Sequence, residues 1–296
     1  MIYMTGDTHG NFSRFADGHF PQQAGMTKND YVMICGDFGG VWNTSKQQID
    51  MLDWLNAQPF TTLFITGNHE NYDLLATYPV SEWHGGKVQF IRPSVIHLMR
   101  GQIYEIDGQT FFTMGGAACH DIYNGVLDMS DPAFDEKYNM LRARRKFFRI
   151  NHQSWWEQEL PTEDEIRMAH EMLCAHEKKV DYIISHCAPT QLQKEIQSRI
   201  GDNTHPENEL TAFLQWIYDE CQFKHWYCGH YHQPMDIKSN FHVLYEKIIP
   251  LGDSVYPFVE ASEEYGNEII EKIVALFQSD IHGEKSKATN PEGSTM

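Results

Sequence analysis

The sequence predicts an α/β fold centred on a parallel sheet with helices on both faces. Three observations carry this reading. Short apolar runs recur in the first third without polar alternation, as in strands buried on both sides. Each run ends in a loop opened by glycine and followed by Asp or Asn: Gly6-Asp7-Thr8-His9, Gly36-Asp37 and Gly67-Asn68-His69-Glu70. The interval is nearly constant, 30 residues from Asp7 to Asp37 and 31 from Asp37 to Asn68, close to the roughly 30 residues of one βαβ unit.

Taken in order, strands are predicted at 2–5, 31–35 and 63–66, each followed by a helix-compatible segment. Between the second and third, residues 46–57 carry Ile49, Leu52, Trp54 and Leu55 on one helical stripe, which fits a crossover helix. The middle reads as antiparallel, with runs at 88–91, 95–98, 103–106 and 110–114; Asp107-Gly108 between the last two is a hairpin turn signal. Residues 119–151 form a polar, aromatic-rich insertion containing Arg142, Arg144, Arg145, Lys146 and Arg149.

Thr162 with Glu165 makes a capping box, and the helix it opens shows Ile166, Ala169 and Leu173 on one face. A buried strand at 182–185 then delivers His186. A helix at 210–221 precedes a strand at 226–228, which delivers Gly229-His230-Tyr231-His232. Strand-like runs at 241–245 and 247–250 complete the sheets. Residues 267–278 are amphipathic and predict a helix packed on the core, whereas 283–296 lack aliphatic core residues and predict a disordered tail. One domain over 1–282 with an insertion at 119–151 is the expected organisation.

The balance of 23 Lys and Arg against 41 Asp and Glu gives a net charge of −18. Such a surface argues against wrapping a long nucleic acid, whose affinity comes mainly from neutralised phosphates. No apolar run approaches the roughly 20 residues of a membrane span, and no basic region followed by a cleavable apolar one opens the sequence, so a cytosolic setting is expected. The six cysteines are scattered singly, without the paired spacing of a disulfide framework or zinc knuckle, and are expected as buried thiols.

The strand-end loops together offer Asp7, His9, Asp37, Asn68, His69, His186, His230 and His232. Ligands bind α/β sheets at the carboxyl ends of the strands, so groups far apart in sequence can meet there. Carboxylate, imidazole and amide oxygen without thiolate suit Mn²⁺, Fe, Zn²⁺ or Ni²⁺ better than Ca²⁺. Any single one of the 16 histidines is more readily a structural residue than a ligand. The motif context reverses that for His9, His69, His186, His230 and His232, while His84, His97, His152, His170, His176, His205 and His225 keep the structural reading. His170 and His176 are six apart, about 240° around a helix, and cannot chelate one ion together. His120 with Asp121 follows Gly115-Gly116-Ala117 and is a candidate for the cleft wall. Trp155-Trp156 reads as packing.

The ordered set D-x-H, G-D, G-N-H-E, a strand-end His and G-H-x-H resembles the calcineurin-like metallophosphoesterase superfamily, over residues 1 to about 249. That resemblance implies a four-layer α/β/β/α sandwich of two mixed sheets flanked by helices. It also implies two divalent metal ions, Mn²⁺ foremost with Fe, Zn²⁺ or Ni²⁺ as alternatives. Asp7, His9 and His232 would bind one ion, Asn68, His186 and His230 the other, and Asp37 would bridge them. Two such ions, about 3.5–4 Å apart, clamp phosphate oxygens and lower the pKa of bound water. The counterpart of His69 faces the substrate and serves the leaving group.

Many members continue G-D-x-x-D, and the protein Ser/Thr phosphatases G-D-x-x-D-R-G. This chain reads Gly36-Asp37-Phe38-Gly39-Gly40-Val41-Trp42, without the acidic residue or the arginine. The departure favours a bacterial or phage-type phosphodiesterase acting on small or nucleotide-like substrates. A phosphomonoesterase on nucleotides or phosphoproteins is the alternative, and an inert metal-bound interaction module the third reading. Arg149, and with it His120, are the candidate substrate contacts. The sequence leaves the oligomeric state open.

Overall fold

The computed structural model describes residues 1–255. The helix expected at 267–278 and the tail at 283–296 lie outside the described residues.

Two sheets face each other. The first has seven strands, made of β1 (Ile2–Thr5), β2 (Tyr31–Ile34), β3 (Thr61–Phe64), β4 (Val80–Trp83), β5 (Gly86–Arg92), β6 (Val95–Leu98) and β15 (Ile249–Pro250), in the order β15-β1-β2-β3-β6-β5-β4. The second has six, made of β7 (Gln102–Ile106), β8 (Gln109–Met114), β11 (Tyr182–Ser185), β12 (His225–Cys228), β13 (Met235–Lys238) and β14 (Phe241–Val243), in the order β13-β14-β12-β11-β8-β7. A separate parallel pair, β9 (Val126–Leu127) and β10 (Arg149–Ile150), belongs with α3 (Phe134–Ala143) to the 119–151 insertion, and the short α2 (Tyr72–Leu75) follows β3.

Alternation along the strands builds the four layers. Ile2 and Met4 of β1, Met33 of β2 and Leu63 of β3 meet Phe111 of β8, Tyr182 and Ile184 of β11, and Tyr227 of β12 between the sheets. Val32, Ile34 and Phe64 point the other way, onto Leu52 and Leu55 of α1 (Lys46–Ala57). On the far side Phe112, Ile183 and Trp226 pack on Ala169 and Leu173 of α4 (Glu163–Ala175), Leu192 and Ile196 of α5 (Thr190–Ile200), and Leu214 and Ile217 of α6 (Glu209–Glu220). The fold is the α/β/β/α sandwich that the motifs imply.

The central strands of both sheets are parallel. β1, β2, β3 and β6 run together in one, and β8, β11, β12 and β14 in the other. Register carries the ends along: Thr5 lies beside Ile34, Ile34 beside Phe64, and Ser185 beside Met114. The loops after them therefore leave each sheet at one level.

Several elements depart from expectation. The segment after β1 is two 3₁₀ turns, Ser13–Phe15 and Pro21–Gly25, instead of an α-helix. Pro21 removes a backbone donor, and Phe12, Phe15 and Phe20 fill the sheet face that a helix would cover. The hairpin at Asp107-Gly108 forms, with both residues at positive φ. The middle is antiparallel only between consecutive strands: β6 also pairs parallel with β3, and the chain then passes to the other sheet at β7. The capping box holds, Thr162 Oγ1 accepting from Glu165 N at 3.2 Å and Glu165 Oε2 from Thr162 N at 2.8 Å. Five of the six cysteines are buried and all are free; Cys174 is exposed.

His97 on β6 is buried against Phe64, Nδ1 donating to Gln89 Oε1 at 2.8 Å, and Nε2 has no partner among the described residues. Burial, with Arg100 adding to it, depresses its pKa to about 3. A histidine neutral in the fold and ordinary when unfolded contributes stability above about pH 6.5 that is lost as pH falls toward 3. Unfolding free energy should therefore drop by up to about 1.4 kcal/mol per pH unit from this residue, and His97→Leu should flatten that slope in denaturant titrations. Ile184→Ala, which removes a fully buried side chain between the sheets, should cost about 2–5 kcal/mol in the same assay.

Candidate metal centre

Five loops meet at the common carboxyl edge, after β1, β2, β3, β11 and β12. The backbone ties them first. Asp37 O accepts from Thr8 N at 3.1 Å and His9 N at 2.8 Å, and Phe38 O from Gly10 N at 2.9 Å. Asp37 Oδ1 accepts from His69 N at 2.7 Å. The buried Glu70 carboxylate accepts from Phe38 N at 2.7 Å and Gly39 N at 3.3 Å, with its pKa raised to about 8 by burial and the nearby Asp37. Asp7 fixes the last loop by accepting from His230 N at 3.0 and 3.2 Å.

Glycine before the acid or amide has a steric cause. A Cβ on Gly67 would stand 2.1 Å from Asp37 Oδ1 and 2.7 Å from His186 Nε2, and one on Gly36 would stand 2.1 Å from His186 Nδ1. A side chain at either position would fill the space where the functional groups meet. Four of those groups sit on strained backbone, since His9, Asp37, His230 and His232 all have φ between 46° and 71°.

The side chains form two adjoining groups. In the first, ligand atoms of Asp7, His9, Asp37 and His232 lie within 4.8 Å of one another. His232 Nε2 is 2.9 Å from Asp7 Oδ2 and 3.0 Å from His9 Nε2, and His9 Nδ1 is 3.8 Å from Asp37 Oδ2. In the second, His186 donates Nδ1–H to Cys35 O at 2.8 Å. Its Nε2 thereby faces Asp37 Oδ1 and Asn68 Oδ1, each at 3.3 Å. Three acceptors then point at one another, an arrangement that only a shared cation or an added proton relieves. Burial opposes charge on His186, yet the Asp37 carboxylate overrides it and raises the pKa to about 9. The His186 charge in turn holds Asp37 far below the usual carboxylate range despite burial. His232 is raised by its hydrogen bond to Asp7, and His9 is lowered, by burial first. The donor set therefore fits divalent cations.

His230 is buried with its ring 4.9 Å from that of His186 and 4.8 Å from that of His205. His69 stands with its ring 5.4 Å from His9, its pKa lowered chiefly by burial and further by Arg149, against the opposing pull of Asp37. His120 lies beside His205 and His230. Arg149 is engaged: Nε donates to Asp121 Oδ1 at 2.9 Å and Nη2 to Oδ2 at 2.5 Å. His205, read from the sequence as structural, was not anticipated here. It lies in the polar segment between α5 and α6 and carries no motif.

A family model for calcineurin-like phosphoesterases matches residues 1–234. The chain belongs to the calcineurin-like phosphoesterase family. It is a hydrolase acting on phosphoric ester bonds, and the family typically binds two divalent metal ions. Comparison with curated proteins gives no match. No helix among the described residues is long and apolar enough to cross a membrane.

Because the Gly67 position opens directly on two functional groups of this phosphoesterase, Gly67→Ala should cut phosphoester turnover by at least about tenfold. It should also lower divalent-metal occupancy in elemental analysis of the purified protein.

Proposed function

We propose that this phosphoesterase hydrolyses phosphodiester bonds of small or nucleotide-like substrates at a binuclear centre. In this reading Asp7, His9 and His232 hold one ion, Asn68, His186 and His230 hold the other, and Asp37 lies between them. The observation that carries it is the convergence of acceptors on Asp37, with His186 Nε2 and Asn68 Oδ1 on one side and His9 on the other. Mixed nitrogen and oxygen donors suit Mn²⁺, with Fe, Zn²⁺ and Ni²⁺ as alternatives.

When bound, the two cations supply Lewis acidity toward the phosphoryl oxygens and a water of lowered pKa. The chain does the rest. Asp37 is locked by the His69 N–H and by the strand-end backbone, so its carboxylate keeps one orientation through turnover. The Cys35 carbonyl fixes the His186 tautomer, leaving Nε2 as the donor atom. His69, beside His9, supplies a hydrogen-bond donor to the leaving oxygen. Arg149 is neutralised by Asp121, which suits a singly charged diester better than a dianionic monoester.

Asp37→Asn should lower turnover of a chromogenic diester by at least about a hundredfold, with loss of bound metal. His69→Ala should lower it by about 10²–10⁴-fold with metal content unchanged. Full activity in both variants would overturn the assignment. Parallel assays on a phosphomonoester should show the diester preferred; exclusive monoester turnover would replace this reading with the phosphatase one.

A further inference from the structure

At the edge of the centre, His120 and His205 reach His230 from separate parts of the chain, and the centre as proposed uses neither of them. His120 comes from the loop after β8, His205 from the segment between α5 and α6, and His230 from the turn after β12. One ring nitrogen of each lies within 4.8 Å of the others. Ring centroids are 4.6 Å apart for His120 and His205, 4.8 Å for His205 and His230, and 5.7 Å for His120 and His230. Nδ1 of His120 and Nδ1 of His205 are buried without a hydrogen-bond partner among the described residues. His205 Nδ1 has the Asp202 carboxylate at 3.7 Å, beyond hydrogen-bond distance; buried polar atoms are normally satisfied, so both rings retain polar capacity that the protein's own hydrogen bonds leave unused.

We propose that His120, His205 and His230 form a third cation site that borders the binuclear centre and shares His230 with it. Three imidazoles with an open fourth position are the donor set of many zinc sites. An all-nitrogen set selects Zn²⁺, Co²⁺ or Ni²⁺ over Mg²⁺, Mn²⁺ and Ca²⁺. His230 suits the shared role because its ring lies 4.9 Å from His186 and 4.8 Å from His205; its second nitrogen would serve the third ion by giving up its N–H proton to solvent, the ring then bridging as an imidazolate.

His205 is held in place from behind. Its N–H donates to Gln197 Oε1 at 3.2 Å, and its carbonyl accepts from Gln193 Nε2 at 3.3 Å, both glutamines being buried on α5. Asp202 brings a carboxylate 3.7 Å from His205 Nδ1 and is itself fixed by Thr204 N and Oγ1 at 2.9 and 3.0 Å. That carboxylate is placed to offset part of the added positive charge. An ion here would clip together the segment before α6, the loop after β8 and the turn after β12.

The proposal rests on the binuclear reading only through the shared His230, and metal stoichiometry separates the two. Equilibrium dialysis of the full chain followed by elemental analysis should find three Zn²⁺ per chain and two Mn²⁺. The double variant His120→Asn/His205→Asn should hold two Zn²⁺ and still two Mn²⁺, with the Zn²⁺-dependent rise in melting temperature reduced. Co²⁺ titration of the unsubstituted protein gives a readout independent of whether that variant folds: a third equivalent should add visible d–d absorption of a low-coordinate nitrogen site. Saturation at two Zn²⁺, an unchanged Zn²⁺ count in the double variant, or no spectral change at the third Co²⁺ equivalent would each overturn the site. Mn²⁺ stoichiometry below two in the unsubstituted protein would instead count against the binuclear reading.

Discussion

The buried Asp37 carboxylate is the group around which the centre is organised, and its surroundings explain why the site needs a cation. It is 1 % exposed, and its oxygens face His186, His9 and the His69 N–H. Burying an anion is unfavourable unless compensated. With protein atoms alone, His186 supplies compensation by holding a proton, which is why its pKa rises to about 9 although burial opposes it. A divalent ion held there would take the place of that proton, with Asn68 Oδ1 and His186 Nε2 as its donors. In the proposed centre, metal binding and deprotonation of His186 would be two faces of one electrostatic requirement.

Such a centre demands that several loops arrive at the same height, and the two sheets deliver this. Central strands of about four residues run parallel in nearly flush register, so each loop begins where its neighbours do. The strained positions at His9, Asp37, His230 and His232 are tolerated because both faces of each sheet are packed. One interior fills the space between the sheets, and two others lie under the helices and turns. A softer scaffold would let these residues relax out of the left-handed region and scatter the donors.

The legible part of the sequence was the part whose chemistry is local. A glycine followed by a donor residue at a strand end is both a steric and a functional requirement, so four of the five loops could be read from adjacent residues, and the fifth, Ser185-His186, from the buried apolar strand before it. Buried parallel strands announced themselves as unbroken apolar runs. What failed to show depends on distant partners. α5 buries Gln193 and Gln197 along with Leu192 and Ile196, which dilutes its apolar stripe. β4 is an edge strand of alternating exposed and half-buried residues. His205 has no neighbour in sequence that marks it, and Arg149 looked like a free cation because its partner Asp121 lies 28 residues away.

The missing acid at position 40 has a packing explanation. A Cβ on Gly40 would lie 2.3 Å from the Phe38 ring, and that ring stacks on Phe64 at 4.0 Å and leans on Phe12 at 5.0 Å. The loop after β2 is therefore anchored by aromatic contact, with Glu70 capping its backbone N–H groups, so that an acid projecting toward the cleft has no room. Trp42 continues the aromatic chain onto Trp156 at 5.6 Å, and Trp156 donates to Asp73 Oδ2 at 2.7 Å. His152 donates to the same carboxylate oxygen at 2.8 Å. The segment closing the 119–151 insertion is thereby docked on the metal-loop side of the first sheet. The Arg149–Asp121 pair carried by that insertion acts on His69 from outside the loop that bears Asp37, Arg149 lowering its pKa and Asp121 raising it.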